Sequence, residues 1–166
     1  MAAGLFILLK FGFTLADNDD LSFLLKPTDK LVGLLTGSHS DYHSESGYYH
    51  ESINIIIDKS CSGFNFFVLC FILFFYLTVK HFDKTLNKLL SIPASFLGAY
   101  LLTIFVNSSR IIASLVVHAQ TKYIFQNQHT IVHEAIGVIT NLSFLILAYA
   151  LIDKFLTQKR HHAKLA

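Results

Sequence analysis

Tryptophan is absent from this chain, cysteine occurs only twice, and charged residues fill 14% of its 166 positions. Each shortage excludes something. Two cysteines are too few for a disulfide framework; if 62–79 is helical, Cys61 and Cys70 sit about 13 Å apart along the axis on opposite faces and do not pair. A net charge of +2, with basic residues in short loops and at the C-terminal end, leaves no stripe for nucleic acid. No Gly-rich phosphate loop, Walker motif or G-x-S-x-G elbow is present, which argues against nucleotide-driven transport. No internal repeat appears and no cofactor is expected. Without tryptophan, aromatic anchoring at a membrane interface falls to Tyr42, Tyr48 and Tyr49.

What the chain does contain is apolar: 53% hydrophobic residues, sixteen phenylalanines and a mean hydropathy of +0.52. That is too apolar for an ordinary soluble domain and too short for two. The expected fold is all-α, a polytopic transmembrane helix bundle with about four spans plus an interfacial or re-entrant helix. It forms a single membrane domain over 1–166. Within it we expect an N-terminal anchor (1–20), an interfacial helix and outer loop (21–60), a helix bundle (61–153) carrying any chemistry, and a basic cytoplasmic tail (154–166).

Ser62 to Val79, 18 residues, is the most uniform apolar run and matches the roughly 17–25 residues a spanning helix needs. Leu89 to Val106 is similar, but its apolar character continues past Asn107 and Arg110 to Ala119. One straight helix through all of it reaches about 46 Å, so the chain is expected to break, tilt or project near Arg110. Glu134 to Ile152 forms another span. Ala2 to Ala16 is shorter and interrupted by Lys10; it lacks a basic leader and a cleavage site, and reads as an uncleaved anchor. Leu21 to Gly37 has apolar residues at helical spacing but carries Lys26, Asp29 and Lys30, and reads as interfacial rather than spanning.

Lys80, Lys84 and Lys88 cluster after the first secure span, and the C-terminal tail is strongly basic. The positive-inside rule puts both on the cytoplasmic side of a cytoplasmic (inner) membrane. Counting crossings then places 38–60, Arg110 and the 120–130 loop together at the outer surface. Cys61, Arg110 and His133 therefore share one face.

A thiol, a permanent cation and an imidazole are the parts of a cysteine nucleophile site. Cys61 is expected in the first turn of its helix, where the dipole favours thiolate, with Asn65 one turn later and Gly63 leaving room for a substrate backbone. The bland alternative is a small apolar residue at a helix start. Arg110, costing roughly 2.5–3.5 kcal/mol if set mid-membrane, calls for a partner or a polar cavity, or snorkels to the interface; it suits an oxyanion or a substrate carboxylate. His133 is placed to move protons, or simply faces water at the interface, with Gly137 and Asn141 following at four-residue steps where the glycine admits a neighbouring helix. No metal is expected at this site. A competing reading takes His39, His43 and His50 of the outer loop as metal ligands of a small non-enzymatic membrane or assembly protein. His129 and His133 are four apart, but His129 reads as loop and the H-E-x-x-H pattern fails at Gly137.

Three segments in order, Asp58-Lys59-Ser60-Cys61-Ser62-Gly63-Phe64-Asn65, Asn107-Ser108-Ser109-Arg110-Ile111 and His133-Glu134-Ala135-Ile136-Gly137-Val138, resemble the Cys, Arg and His blocks of the exosortase and archaeosortase family, in its short exosortase K form. The resemblance runs from about Asp20 to Asp153. It implies a membrane cysteine peptidase or transpeptidase: Cys61 as nucleophile, Arg110 stabilising the oxyanion or substrate, His133 as general acid and base, and Gly63, Asn65, Asn107 and Gly137 in support. The implied partner is an exported protein whose C-terminal sorting signal combines a short motif, a transmembrane helix and a basic tail, as in PEP-CTERM proteins, besides the surrounding lipids.

The topology generates one test. A membrane-impermeant thiol reagent is expected to reach Cys61 from the outer face of oriented vesicles; labelling from the cytoplasmic face alone would overturn the orientation.

Overall fold

The computed structural model describes residues 11–81, 85–121 and 129–165, with side chains at 85, 87, 118–121, 129–134 and 159–165 outside the description. A helical segment at 11–15 leads into α1 (Ser22–Thr36), then a three-stranded antiparallel sheet, β1 (Asp41–His43), β2 (Gly47–His50) and β3 (Ile55–Ile57). Three long helices follow: α2 (Phe64–His81), α3 (Thr85–Thr121) and α4 (His129–Leu165).

Three stretches are long and apolar enough to cross a membrane, Lys59–His81, Lys88–Val117 and Ala135–Gln158. These are the three secure runs of the sequence. The anchor expected at Ala2 to Ala16 lies mostly outside the described residues. Of the three outcomes expected near Arg110, a break does not occur: α3 is one continuous helix of 37 residues, about 55 Å long at 1.5 Å per residue. It therefore tilts or projects. Nor is His129 in a loop, since it opens α4.

The bundle closes around phenylalanine. Phe66, Phe67, Val68, Cys70 and Phe74 of α2 are buried with Ala99 and Val106 of α3, Ala148 of α4 and Leu24 of α1. Phe67 meets Phe96 edge-on at 5.2 Å, an arrangement the ring quadrupoles favour. Cys70 is fully covered here, a packing thiol. Many remaining large apolar side chains on α2, α3 and α4 are exposed, among them Leu97, Phe105, Leu142 and Phe155. That is the surface a helix presents to lipid rather than water.

The fold is not purely α-helical, because the segment expected to be a solvated outer loop builds the sheet. Its strands are three or four residues long, too short for alternation to be legible, yet Tyr48, Tyr49 and the Ile55-Ile56-Ile57 run are good strand formers. Tyr42 pairs with Tyr48, and Tyr49 with Ile56. Gly47, at φ 86°, returns the first hairpin, and a Cβ there would lie 2.4 Å from the Ile57 carbonyl oxygen, so β3 packs where only glycine fits. Tyr42 also donates to Asp19, a bond that pushes its phenol up to about 12. Tyr48 is raised too, mainly by burial and then by Asp29 and Asp19. Both phenols stay neutral well above pH 7, and whatever they add to stability is present below the ordinary phenol range and lost as pH climbs through the raised values.

A buried polar chain ties this sheet to α1. Thr36 Oγ1 donates to the Val32 carbonyl at 2.8 Å, which uses its one hydrogen. Ser38 Oγ, 2.6 Å from Thr36 Oγ1, must therefore donate to it, and accept in turn from His50 Nδ1 at 2.8 Å. The other ring nitrogen, Nε2, faces Asp29 Oδ1 at 2.9 Å, off the line of a good hydrogen bond. His50 is 1% exposed and Asp29 7%. Removing one member of a buried pair leaves the other uncompensated, which typically costs about 3–5 kcal/mol. His50→Ala is expected to lower stability by an amount of that order in denaturant unfolding in detergent, whereas Asp29→Leu with His50→Leu together is expected to lose much less.

Candidate functional site

The residues of the three sequence blocks converge on one stretch of α3, from Thr103 to Ile111. Cys61 arrives from the sheet side. Asp58 accepts from the Ser60 backbone N–H at 3.0 Å and caps a 3-10 turn, Lys59–Cys61, as aspartate does at such a start. Gly63, at φ 68°, then redirects the chain into α2. Cys61 thus precedes the helix rather than lying in its first turn. Its own N–H is given to the Asp58 carbonyl at 2.8 Å.

Asn107 holds this turn in place. Its Nδ2 donates to the Cys61 carbonyl, and its side chain lies against Gly63, where a Cβ would come within 3.3 Å of Asn107 Cγ and 3.2 Å of Thr103 Cγ2. The glycine admits the neighbouring helix; the space expected for a substrate backbone is filled by Asn107 and Thr103. Asn65, on the next turn, is exposed and makes none of these contacts.

The thiol is 8% exposed and shares an apolar cluster with Leu21, Leu25, Val32, Ile57 and Ile111. Its polar neighbour is Ser60 Oγ, 3.8 Å from Sγ. That hydroxyl lies 2.6 Å from Asp58 Oδ1 and gives it its single hydrogen, so toward the thiol it can only accept. The S–H of Cys61 points to Ser60, and Ser60 to a carboxylate.

Arg110 lies one helical turn beyond Asn107 and reaches α4. A Cβ on Gly137 would lie 3.3 Å from Arg110 Cδ and 3.5 Å from Nη1, so Gly137 is the notch expected for a neighbouring helix, and it is the arginine that fills it. Among the described residues, Nε and Nη2 of Arg110 are buried without a hydrogen-bond partner, as are Asn107 Oδ1 and Ser108 Oγ. The α4 backbone sets position 133 one turn before Gly137 on the same stripe; the His133 and Glu134 side chains lie outside the described residues.

Several supporting residues carried no readable signal. Asn18, 7% exposed, donates to the carbonyls of Ser44 and Glu45 and accepts from the Lys59 N–H at 2.8 Å. It fastens the hairpin tip to the turn that carries Cys61. Lys59 Nζ in turn reaches the Ala16 carbonyl at 2.6 Å. An isolated asparagine in Asp17-Asn18-Asp19-Asp20 gives no hint of this. Asp58-Lys59-Ser60, by contrast, is a legible turn-capping pattern.

The three loop histidines do not all converge: His39 and His50 line one cavity and His43 does not. His43 is exposed in β1 and His50 is buried against Asp29 and Ser38. A cavity of about 520 Å³ is lined by His39 and Ser40 together with Asp29, Lys30, Ser38 and His50. Among the described residues no group of three or more His, Cys, Asp or Glu side chains is placed to hold a metal ion. The cavity contains a serine, a histidine and an aspartate, but the hydrogen-bond directions above make His50 a donor to Ser38, the reverse of what a nucleophilic serine requires.

Comparison with known proteins finds no matching family model, no matching curated protein and no matching solved structure.

The contact between Gly63 and Asn107 generates a test. Gly63→Ala adds a Cβ at a left-handed position, worth about 1–2 kcal/mol by itself, and pushes on Asn107 and Thr103. We expect a loss of roughly 2 kcal/mol or more in detergent unfolding, with faster alkylation of Cys61 by a small thiol reagent as its turn comes loose.

Proposed function

We propose that this chain is a membrane cysteine peptidase or transpeptidase of the exosortase and archaeosortase kind, acting at the outer face of the cytoplasmic membrane on C-terminal sorting signals of exported proteins. The observation that supports the reading is the meeting of the three sequence blocks on α3. Cys61 and Gly63 contact Asn107, Arg110 of the same helix contacts Gly137, and position 133 lies one turn from Gly137. Residues 72 positions apart in sequence share one small region of the bundle.

In this reading Sγ of Cys61, having passed its proton to a base, attacks the carbonyl carbon of the scissile peptide bond. The developing oxyanion is stabilised by nearby donors, and the C–N bond breaks as His133 protonates the leaving amine. A thioester remains. An amine or water, deprotonated by His133, then attacks it, releasing the new amide or acid and regenerating the thiol. A thiol only 8% exposed reacts when substrate or a local opening parts its apolar cover. A substrate held by its own transmembrane helix is delivered along the lipid-facing side of the bundle, next to that cover.

The test is cleavage of a co-expressed exported protein carrying motif, helix and basic tail, read by gel mobility and mass. Cys61→Ala is expected to abolish cleavage while leaving insertion and expression intact; full cleavage in that variant rejects the nucleophile. Arg110→Lys is expected to lose at least about tenfold, because a point charge does not reproduce a planar fork. His133→Ala is expected to slow both acylation and transfer, and normal rates would move the base elsewhere.

A further inference from the structure

The cavity beside α1 holds a polar pair that the peptidase chemistry leaves unused. Asp29 Oδ1 and His50 Nε2 lie 2.9 Å apart, in two lining residues that are 7% and 1% exposed, and neither atom makes a hydrogen bond among the described residues. The direction of the chain from Thr36 through Ser38 to His50 puts a hydrogen on Nδ1. In the neutral ring Nε2 is therefore a lone pair, set against a carboxylate oxygen that is also an acceptor. Two acceptors this close repel unless something positive is shared between them.

The geometry selects what is shared. A second proton on the ring answers Asp29 well only in line with the N–H bond, and the oxygen lies off that line. An ammonium nitrogen at hydrogen-bond distance from both atoms would see them about 60° apart, far from the tetrahedral spread of its N–H bonds. A first-row divalent cation about 2.05 Å from each sees them about 90° apart, the angle of octahedral coordination, whereas a tetrahedral site needs the two atoms about 3.3 Å apart. At a right angle the oxygen also sits about 45° from the axis of the ring nitrogen, so the offset that spoils the hydrogen bond suits a cation. The Ser38 contact on Nδ1 is the outer bond that fixes the tautomer and orientation of a metal-binding imidazole. An imidazole ligand disfavours magnesium and calcium, which take oxygen.

Two protein ligands are fewer than a preformed centre assembles, and no group of three occurs among the described residues. The cavity supplies the remaining positions. Its volume of about 520 Å³ has room for coordinated water, and His39 is exposed on its wall, free to turn inward. Lys30 shares that wall but is exposed, where solvent screens its charge.

We infer that Asp29 and His50 are the core of a binding site for a first-row divalent cation, with His39 joining from the cavity wall, and that the cation clamps β2 to α1. His50 ends β2 and pairs with Ile55 of β3, while Ile57 of β3 and Val32 of α1 pack in the cluster that contains Cys61. The clamp thus joins the two elements that cover the thiol. It goes beyond the proposed peptidase activity and does not depend on Cys61 being the nucleophile.

The experiment uses the full chain in detergent, without a histidine tag, stripped with chelator and titrated with Co²⁺, the bound metal being read by equilibrium dialysis and elemental analysis. Wild type is expected to bind an equivalent that His50→Gln and Asp29→Asn each weaken at least about a hundredfold. Ser38→Ala is expected to cost about tenfold or more through loss of the bond on Nδ1, His39→Gln a smaller factor, and His43→Gln, outside the cavity, nothing. Co²⁺ at about 100 times its dissociation constant is expected to raise the melting midpoint of wild type by about 5 °C or more and to leave that of His50→Gln unmoved.

Equal binding by wild type, His50→Gln and Asp29→Asn, each with a cooperative melting transition, would place the cation elsewhere and overturn the site. A thiolate-to-cobalt charge-transfer band from the bound equivalent would do the same, because it reports Cys61 or Cys70 as a ligand. Absence of any bound equivalent at millimolar Co²⁺ would reduce the pair to an imidazolium–carboxylate contact and reject the inference. None of these results bears on cleavage by Cys61, which the sorting-signal assay reads separately.

Discussion

A guanidinium inside an apolar bundle is the constraint on which the other features of the site depend. Arg110 falls within a stretch of α3 apolar enough to span a membrane, and hydrocarbon offers it nothing. The fold responds by withdrawing it toward α4, where Gly137 leaves the room of a missing side chain. That choice brings α4 close to α3 at the level of Asn107, and Asn107 in turn anchors the turn of Cys61. Packing alone does not explain the arrangement. An all-apolar seam would bury the helices as well without placing Nε, Nη2, Asn107 Oδ1 and Ser108 Oγ in the interior with no hydrogen-bond partner among the described residues, and each such buried polar group calls for an explanation beyond packing.

The small sheet walls the candidate site on the side of Cys61. Strands of three or four residues are too short to be stable by themselves, and this sheet persists because its last strand buries Ile57 in the cluster with Cys61 and because His50 is clasped between Ser38 and Asp29 of the preceding segment. Asn18 adds a link from the N-terminal side to both the hairpin tip and Lys59. Three stretches of chain, before α1, around the hairpin and ahead of α2, are thus joined by polar contacts whose partners are mostly backbone atoms. Their geometry depends little on which side chains occupy the surface.

Long helices and their approximate limits were legible in the sequence, because apolar runs of 17–25 residues are set by membrane thickness and little else resembles them. Helix α1 was legible from its spacing of apolar residues, although Leu24, Leu25, Thr28, Asp29 and Val32 are more buried than an interfacial helix suggests. The sheet was not legible: segments this short carry no period, and the polar residues of 38–46 concealed them. The continuity of α3 through Asn107 and Arg110 was not legible either, since polar residues that would end a span in lipid are tolerated where neighbouring elements cover them. The three sequence blocks meet on α3, and Gly137 was legible from its four-residue spacing as a notch for a neighbouring helix, whereas the packing role of Gly63 was not. That Asn107 and Arg110 of α3 are the side chains lying against Gly63 and Gly137 is a three-dimensional fact with no trace in spacing. Asn65 shares a motif with Cys61 and yet stays outside the site.

The unbroken course of α3 has a mechanical consequence. Asn107 and Arg110 are three residues apart on a single helix, about 4.5 Å along its axis, with every peptide between them in the hydrogen-bonded ladder. Their separation behaves as a rigid gauge. Any breathing of the bundle that uncovers the thiol moves the Cys61 turn on one side or α4 on the other, while the amide and the guanidinium travel as one body. The spacing of these two polar groups stays constant while the walls around them move.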